Sequence, residues 1–117
     1  MFQLLNPTQI YFFRHYQKQV DNHNYYKYIV HLDGIDREFV HKELEKSGIS
    51  PSGYVYEFPL HKLPVFRSYN ELTLQKTERY SATHMCLPIF FLMSDEQVLF
   101  VIEMLKEIIE VKRRRVC

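Results

Sequence analysis

From Ser94 onward the apolar residues Val98, Val101, Ile102, Leu105, Ile108 and Ile109 recur at the i, i+3, i+4, i+7 spacing of one helix face, with Glu103, Lys106, Glu107 and Glu110 opposite. No other feature constrains the fold as strongly, because such a stripe must be covered by the rest of the chain. Six buried side chains of this kind contribute on the order of 10 kcal/mol before entropy is subtracted. The start of the helix is also encoded: Ser94 as N-cap with Gln97 at N3 makes a capping box, and Met93 can staple onto Val98.

The cover has to come from upstream. Residues 25–32, "YYKYIVHL", are aromatic and β-branched and predict a strand. "DGIDREFVHKELEKSGI" then predicts a turn at Asp33-Gly34, an N-cap at Asp36, a helix over 37–47 and a C-cap glycine at Gly48. In that helix Phe39, Val40 and Leu44 point inward, while Glu38, Lys42, Glu45 and Lys46 form a solvated charged face. A second strand is expected over 54–58, a proline-bracketed loop over 59–70 and a helix over 71–82. "HMCLPI" reads as a short buried strand ended by Pro88.

Near the start, Asn6-Pro7-Thr8-Gln9 opens a helix running to about Val20. Ile10, Phe13, Gln17 and Val20 mark one face of it, and Tyr11, Phe12 and Tyr16 extend apolar surface round most of the circumference. That helix asks for cover on more than one side, which makes Tyr11, Phe12 and Tyr16 the expected seat of self-association. The element order predicts a small three-stranded sheet packed with about four helices, an α/β (α+β) sandwich. One domain spans 1–117: an aromatic helix in 1–23, the main body in 24–111 and a basic tail in 112–117.

Composition narrows the function classes. Fifteen basic against fourteen acidic residues leave a net charge of +1, which gives no electrostatic footprint for nucleic acid. The longest apolar run, "MCLPIFFLM", is too short for a membrane helix and contains Pro88, and the first residues lack the basic region of a signal peptide. Cys86 and Cys117 make a poor disulfide framework and fit a reducing compartment, so a cytoplasmic protein is expected.

Chemistry is sparse. None of the six histidines falls into an H-E-x-x-H or comparable metal spacing, and each reads first as a surface or satisfied core residue. Gly34, Gly48 and Gly53 stand too far apart for a phosphate loop, and Cys86, in a buried strand, reads as inert packing. The cations of "VKRRRVC" follow a helix end and complement its dipole or meet an anionic partner. Tyr25, Tyr26, Tyr28, Tyr54 and Tyr56 either line a substrate edge or form cross-strand pairs. His61 stands out because Pro59 and Pro64 stiffen the segment around it, which suits a residue aimed at a target and equally a loop that only crosses a surface.

Three segments in order, "NYYKYIVHLDGIDREFVHKELEKSGI", "YEFPLHKLPVF" and "THMCLPIFFLMSDEQVLFVIEMLKEII", resemble the C-terminal small domain of the DegT/StrS-type, pyridoxal-phosphate-dependent sugar aminotransferases. The matching motifs are Tyr26 and Tyr28, Asp36-Arg37, Gly48-Ile49, Pro59 to Pro64 around His61, Leu87-Pro88, and Ser94-Asp95-Glu96. The resemblance implies a fold like the small domain of fold-type I subunits and, for the full-length family, transfer of an amino group from glutamate to a keto-sugar nucleotide through pyridoxal phosphate (PLP). It also implies that the loop near residues 56–66 approaches an active-site mouth, with His61, Tyr56 and Lys62 as substrate-binding positions.

The family's Schiff-base lysine, ring aspartate and phosphate-binding residues belong to a large domain with no match here. The resemblance therefore implies a stand-alone small-domain homologue that binds no cofactor alone, is non-catalytic by itself and completes a PLP-binding large-domain chain. The alternative is a small self-associating interaction module, a homo-oligomer without a catalytic role. If the loop keeps its family shape, packing of Phe58 and Phe66 on the sheet holds it and the His61 ring projects largely free. His61→Ala is then expected to change stability by no more than about 0.5 kcal/mol.

Overall fold

Strand β1 (Tyr28–His31) lies antiparallel to β2 (His84–Leu87), with Tyr28 opposite Leu87 and His31 opposite His84. The structure is a computed structural model and describes residues 26–116 apart from Asp33. The expected N-terminal helix, with Tyr11, Phe12 and Tyr16, lies outside the described residues, as do Tyr25 and half of the Asp33-Gly34 turn. Between the strands run α1 (Arg37–Lys46), two 3-10 turns (Leu60–Lys62 and Pro64–Tyr69) and α2 (Gln75–Thr83); α3 (Asp95–Val116) follows β2.

Alternation along the strands gives the sheet two faces. Tyr28, Val30, Met85 and Leu87 join Val40 and Leu44 of α1 and the six-residue stripe of α3 in one buried cluster. The stripe is thus the floor of the core, and α1 packs against it across the same cluster. The other face carries His31, His84 and Cys86; residues 54–56 and α2 meet it at His84, and all four residues of β2 are buried.

Helix ends follow local chemistry. The Asp36 carboxylate accepts from the backbone N–H groups of Glu38 and Phe39 at 3.0 and 3.3 Å. At the other end of α1, Gly48 takes φ +81°, its N–H reaches the Glu45 carbonyl at 3.0 Å, and the Ile49 N–H reaches the Leu44 carbonyl at 2.9 Å. That is a Schellman motif, and its hydrophobic contact is made by Ile49 and Leu44, both buried. The capping box of α3 closes reciprocally: Gln97 N–H to Ser94 Oγ at 3.2 Å, and Ser94 N–H to Gln97 Oε1 at 2.9 Å.

Three expectations need correction. The sheet among the described residues has two strands, not three. Cys86 turns its outer backbone groups to the segment before the expected third strand, donating to the Gly53 carbonyl at 2.8 Å and accepting from Ser52 N–H at 2.9 Å. Gly53 then takes φ +75°, and the Val55 N–H is captured by the His84 imidazole, so residues 54–58 leave the ladder before a strand can form. The helix expected over 71–82 begins only at Gln75, after Leu74, which offers no side-chain cap. Finally, Lys112, Arg113, Arg114 and Arg115 lie within the last turns of α3 instead of in a tail beyond it, where they complement the helix dipole.

Candidate functional site

The proline-bracketed segment is wound, not extended. Pro59 and Leu63 hold ψ near 145°, each just ahead of a short 3-10 turn, and Pro64 opens the second turn at a position where it needs no N–H. Backbone bonds from Lys62 N–H to the Pro59 carbonyl, 2.9 Å, and from Phe66 N–H to the Leu63 carbonyl, 2.9 Å, make the loop internally stiff.

His61 is turned inward, at 6% exposure, which overturns the expectation of a free ring. Its Nε2 lies 2.9 Å from Glu78 Oε1, and since a carboxylate only accepts, Nε2 carries the proton. The same oxygen accepts from Leu74 N–H at 3.1 Å, so Glu78 closes the start of α2 that lacks a cap and ties the loop to it. The hydrogen bond from His61, followed by that from Leu74, holds the Glu78 carboxyl below its ordinary pKa. Phe58 is exposed and does not pack on the sheet, so the loop is held by this polar contact instead.

A second polar anchor lies at the other end of α2. His84 is fully buried; its Nδ1 donates to the Tyr80 carbonyl at 2.7 Å, and its Nε2 accepts from the Val55 N–H at 2.9 Å and more distantly from Tyr56 N–H at 3.4 Å. These partners fix the neutral Nδ1–H tautomer. Burial lowers the pKa of His84, and the nearby Arg37 cation lowers it further. His84 is thus the satisfied core histidine that the sequence allowed for.

Around it, Tyr80 stacks on the imidazole at 4.7 Å, Tyr54 meets it edge-on at 5.9 Å, and Arg37 lies 4.1 Å over the Tyr54 ring. Arg37 also donates to the carbonyls of Ser81 and His84, the latter at 3.1 Å, closing the C-terminal end of α2. The Tyr54 hydroxyl donates to Glu38 at 2.9 Å; burial first, and that bond second, push its pKa up. Cys86 sits beneath this layer, its thiol pKa raised by burial, as suits inert packing.

Of the three candidate substrate residues, Tyr56 is 69% exposed and Lys62 donates from an exposed ammonium to the Asn70 carbonyl at 2.6 Å, whereas the His61 ring belongs to the Glu78 contact. Glu78 and Arg37 were not marked for these roles by the sequence. The available signals were an acid four residues after Leu74, in a segment of weak helical period, and the Asp36-Arg37 step. Removing the buried ring with its bond should be felt: His61→Ala is expected to cost about 1–2 kcal/mol in urea unfolding. Part of that loss should fade at acid pH, because a carboxylate with a lowered folded pKa contributes above its ordinary pKa and stops contributing as pH falls through the folded value.

No group of three or more metal-ligating side chains occurs among the described residues, nor any helix long and apolar enough to cross a membrane. The sequence pattern of the DegT/DnrJ/EryC1/StrS aminotransferase family matches residues 3–106. No curated protein matches the sequence. Among solved structures, the fold is similar to two forms of the protein described as "Putative sugar aminotransferase Spr1654 from Streptococcus pneumoniae". The PMP-form is 24% identical with a TM-score of 0.59, over 73% of this chain and 22% of that one. The apo-form is 23% identical with a TM-score of 0.61, over 77% of this chain and 23% of that one. With nearly its whole length matched by one family pattern and its fold shared with a sugar aminotransferase, the chain belongs to the DegT/DnrJ/EryC1/StrS aminotransferase family.

Proposed function

We propose that these residues act as the small domain of a sugar aminotransferase, non-catalytic by themselves, and complete a cofactor-binding large domain that transfers an amino group to a keto-sugar nucleotide. The observation that carries this reading is the combination of a family match over residues 3–106 with a described site that has no place for the family's cofactor. PLP requires an enclosed lysine, an acidic partner for the pyridine nitrogen and a phosphate cradle. The described lysines are exposed or only half-buried, and Gly34, Gly48 and Gly53 stand in separate turns. The described residues do not fit the group.

What they offer instead is a stiff loop with an exposed phenol and an exposed ammonium, Tyr56 and Lys62. A hydroxyl and a cation suit a polar, anionic substrate such as a nucleotide sugar. His61 supports that loop from beneath. Exposed Phe58, Leu60, Phe90 and Phe91 supply apolar surface of the kind a large domain would cover.

The test is reconstitution. The full chain is mixed with a family large domain expressed without its own small domain, and conversion of PLP to its amino form by glutamate is followed by absorbance. The chain alone should give no conversion, and the large domain should gain turnover of the keto-sugar nucleotide only when the chain is added. Absence of both binding and gain would contradict the reading.

A further inference from the structure

Residues 55–61 run alongside α2 and are fastened at both of its ends. At the C-terminal end, His84 Nε2 takes the Val55 N–H at 2.9 Å; at the N-terminal end, Glu78 Oε1 takes the His61 Nε2–H at 2.9 Å. Between the anchors the side chains face out: Tyr56, Phe58 and Leu60 are 69%, 60% and 63% exposed. Past the second anchor, Lys62 is held by the Asn70 carbonyl.

A segment with such apolar exposure has no hydrophobic reason to stay in one conformation. Its shape is set by the two polar anchors and the 3-10 turns. Glu78 is the more telling of the two, because one oxygen serves both the loop, through His61, and the start of α2, through Leu74 N–H.

We propose that Glu78 is a positioning residue: through His61 it clamps the 55–62 loop against α2 and so fixes where Tyr56 and Lys62 are presented. The part of this that concerns substrate rests on the small-domain reading above; the clamp itself does not. The lowered pKa of the Glu78 carboxyl accords with a carboxylate kept ionised by these two donors.

Amide hydrogen exchange on the full chain tests the clamp. Glu78→Ala should speed exchange at Lys62, Leu63 and Phe66, whose N–H groups close the 3-10 turns, by roughly tenfold or more, while amides of β1 and β2 keep their protection. Glu78→Gln, whose amide oxygen can still accept from His61 and Leu74, should restore most of the loop protection. Unchanged exchange in the loop, or an equal rise across loop and strands, would overturn the clamp. Should Glu78→Ala fail to fold, His61→Leu, which fills the buried site but has no donor for Glu78, serves in its place, with the same loop-confined rise expected and the same two contrary results.

In the reconstituted enzyme, Glu78→Ala should raise KM for the keto-sugar nucleotide while the glutamate half-reaction keeps its rate. A loop-confined exchange effect with no change in KM would uphold the clamp and count against the substrate reading. A KM effect without any exchange effect would sink the clamp.

Discussion

Leu105→Ala is expected to cost about 2–5 kcal/mol, the largest loss for any single aliphatic truncation at the centre of the stripe. Leu105 is essentially without exposure and belongs to the cluster that joins α3 to both strands and α1. Truncation removes its apolar area and leaves a cavity that three elements of different origin cannot easily close around. The matched control is Leu99→Ala on the same helix; Leu99 is 40% exposed, and its loss should stay within about 1 kcal/mol. Urea unfolding should show a lower midpoint for Leu105→Ala with an unchanged slope. Equal effects for the two variants would mean that the helix does not bury the face assigned to it.

Replacing His84 by leucine is expected to cost about 2–4 kcal/mol despite the gain in apolarity, because it leaves the Val55 N–H without its acceptor and takes one of two donors from the Tyr80 carbonyl, which keeps the His84 backbone N–H. The imidazole that joins them is fully buried. A pH signature separates this from a packing effect. With the folded pKa of His84 lowered by burial and by Arg37, its contribution is fully present above the ordinary histidine pKa of about 6.5 and is lost as pH falls toward the folded value. The groups facing the ring are Tyr80 and Ser81 of α2, Tyr54 of the covering segment, Arg37 of α1 and His31 of β1. The stability gap between the parent chain and His84→Leu should therefore narrow below pH 6.5 and stay constant above it. A gap that widens in acid would mean the imidazole is held protonated.

These two sites also mark what could be read from residues alone. The α3 stripe, the Asp36 cap, the Gly48 stop and the Ser94/Gln97 box are all written within a few neighbouring residues, so periodicity and capping chemistry located them. The fate of residues 54–58 is decided elsewhere. Their composition is that of a strand, but Gly53 bends the chain away and an imidazole from 29 residues downstream takes the Val55 N–H. Propensity sees neither event. His61 shows the same limit in another form: flanking prolines announce a stiff segment and say nothing about which way the ring points. Its partner, Glu78, sits in a stretch of weak period, and only the fold brings the two together. Tyr56 and Lys62 are exposed, yet exposure alone assigns no ligand, and their role stays with the proposed small-domain function.

That proposal stands or falls most directly on cofactor binding by the full chain. The protein is incubated with PLP, freed of excess reagent by desalting, reduced with borohydride and mapped by mass spectrometry. No retained chromophore is expected, and only trace, scattered pyridoxyl groups on surface lysines, because no described lysine is enclosed beside an acidic partner. One lysine carrying a stoichiometric pyridoxyl group, with a matching absorbance band before reduction, would contradict it and make the chain a cofactor-binding protein in its own right.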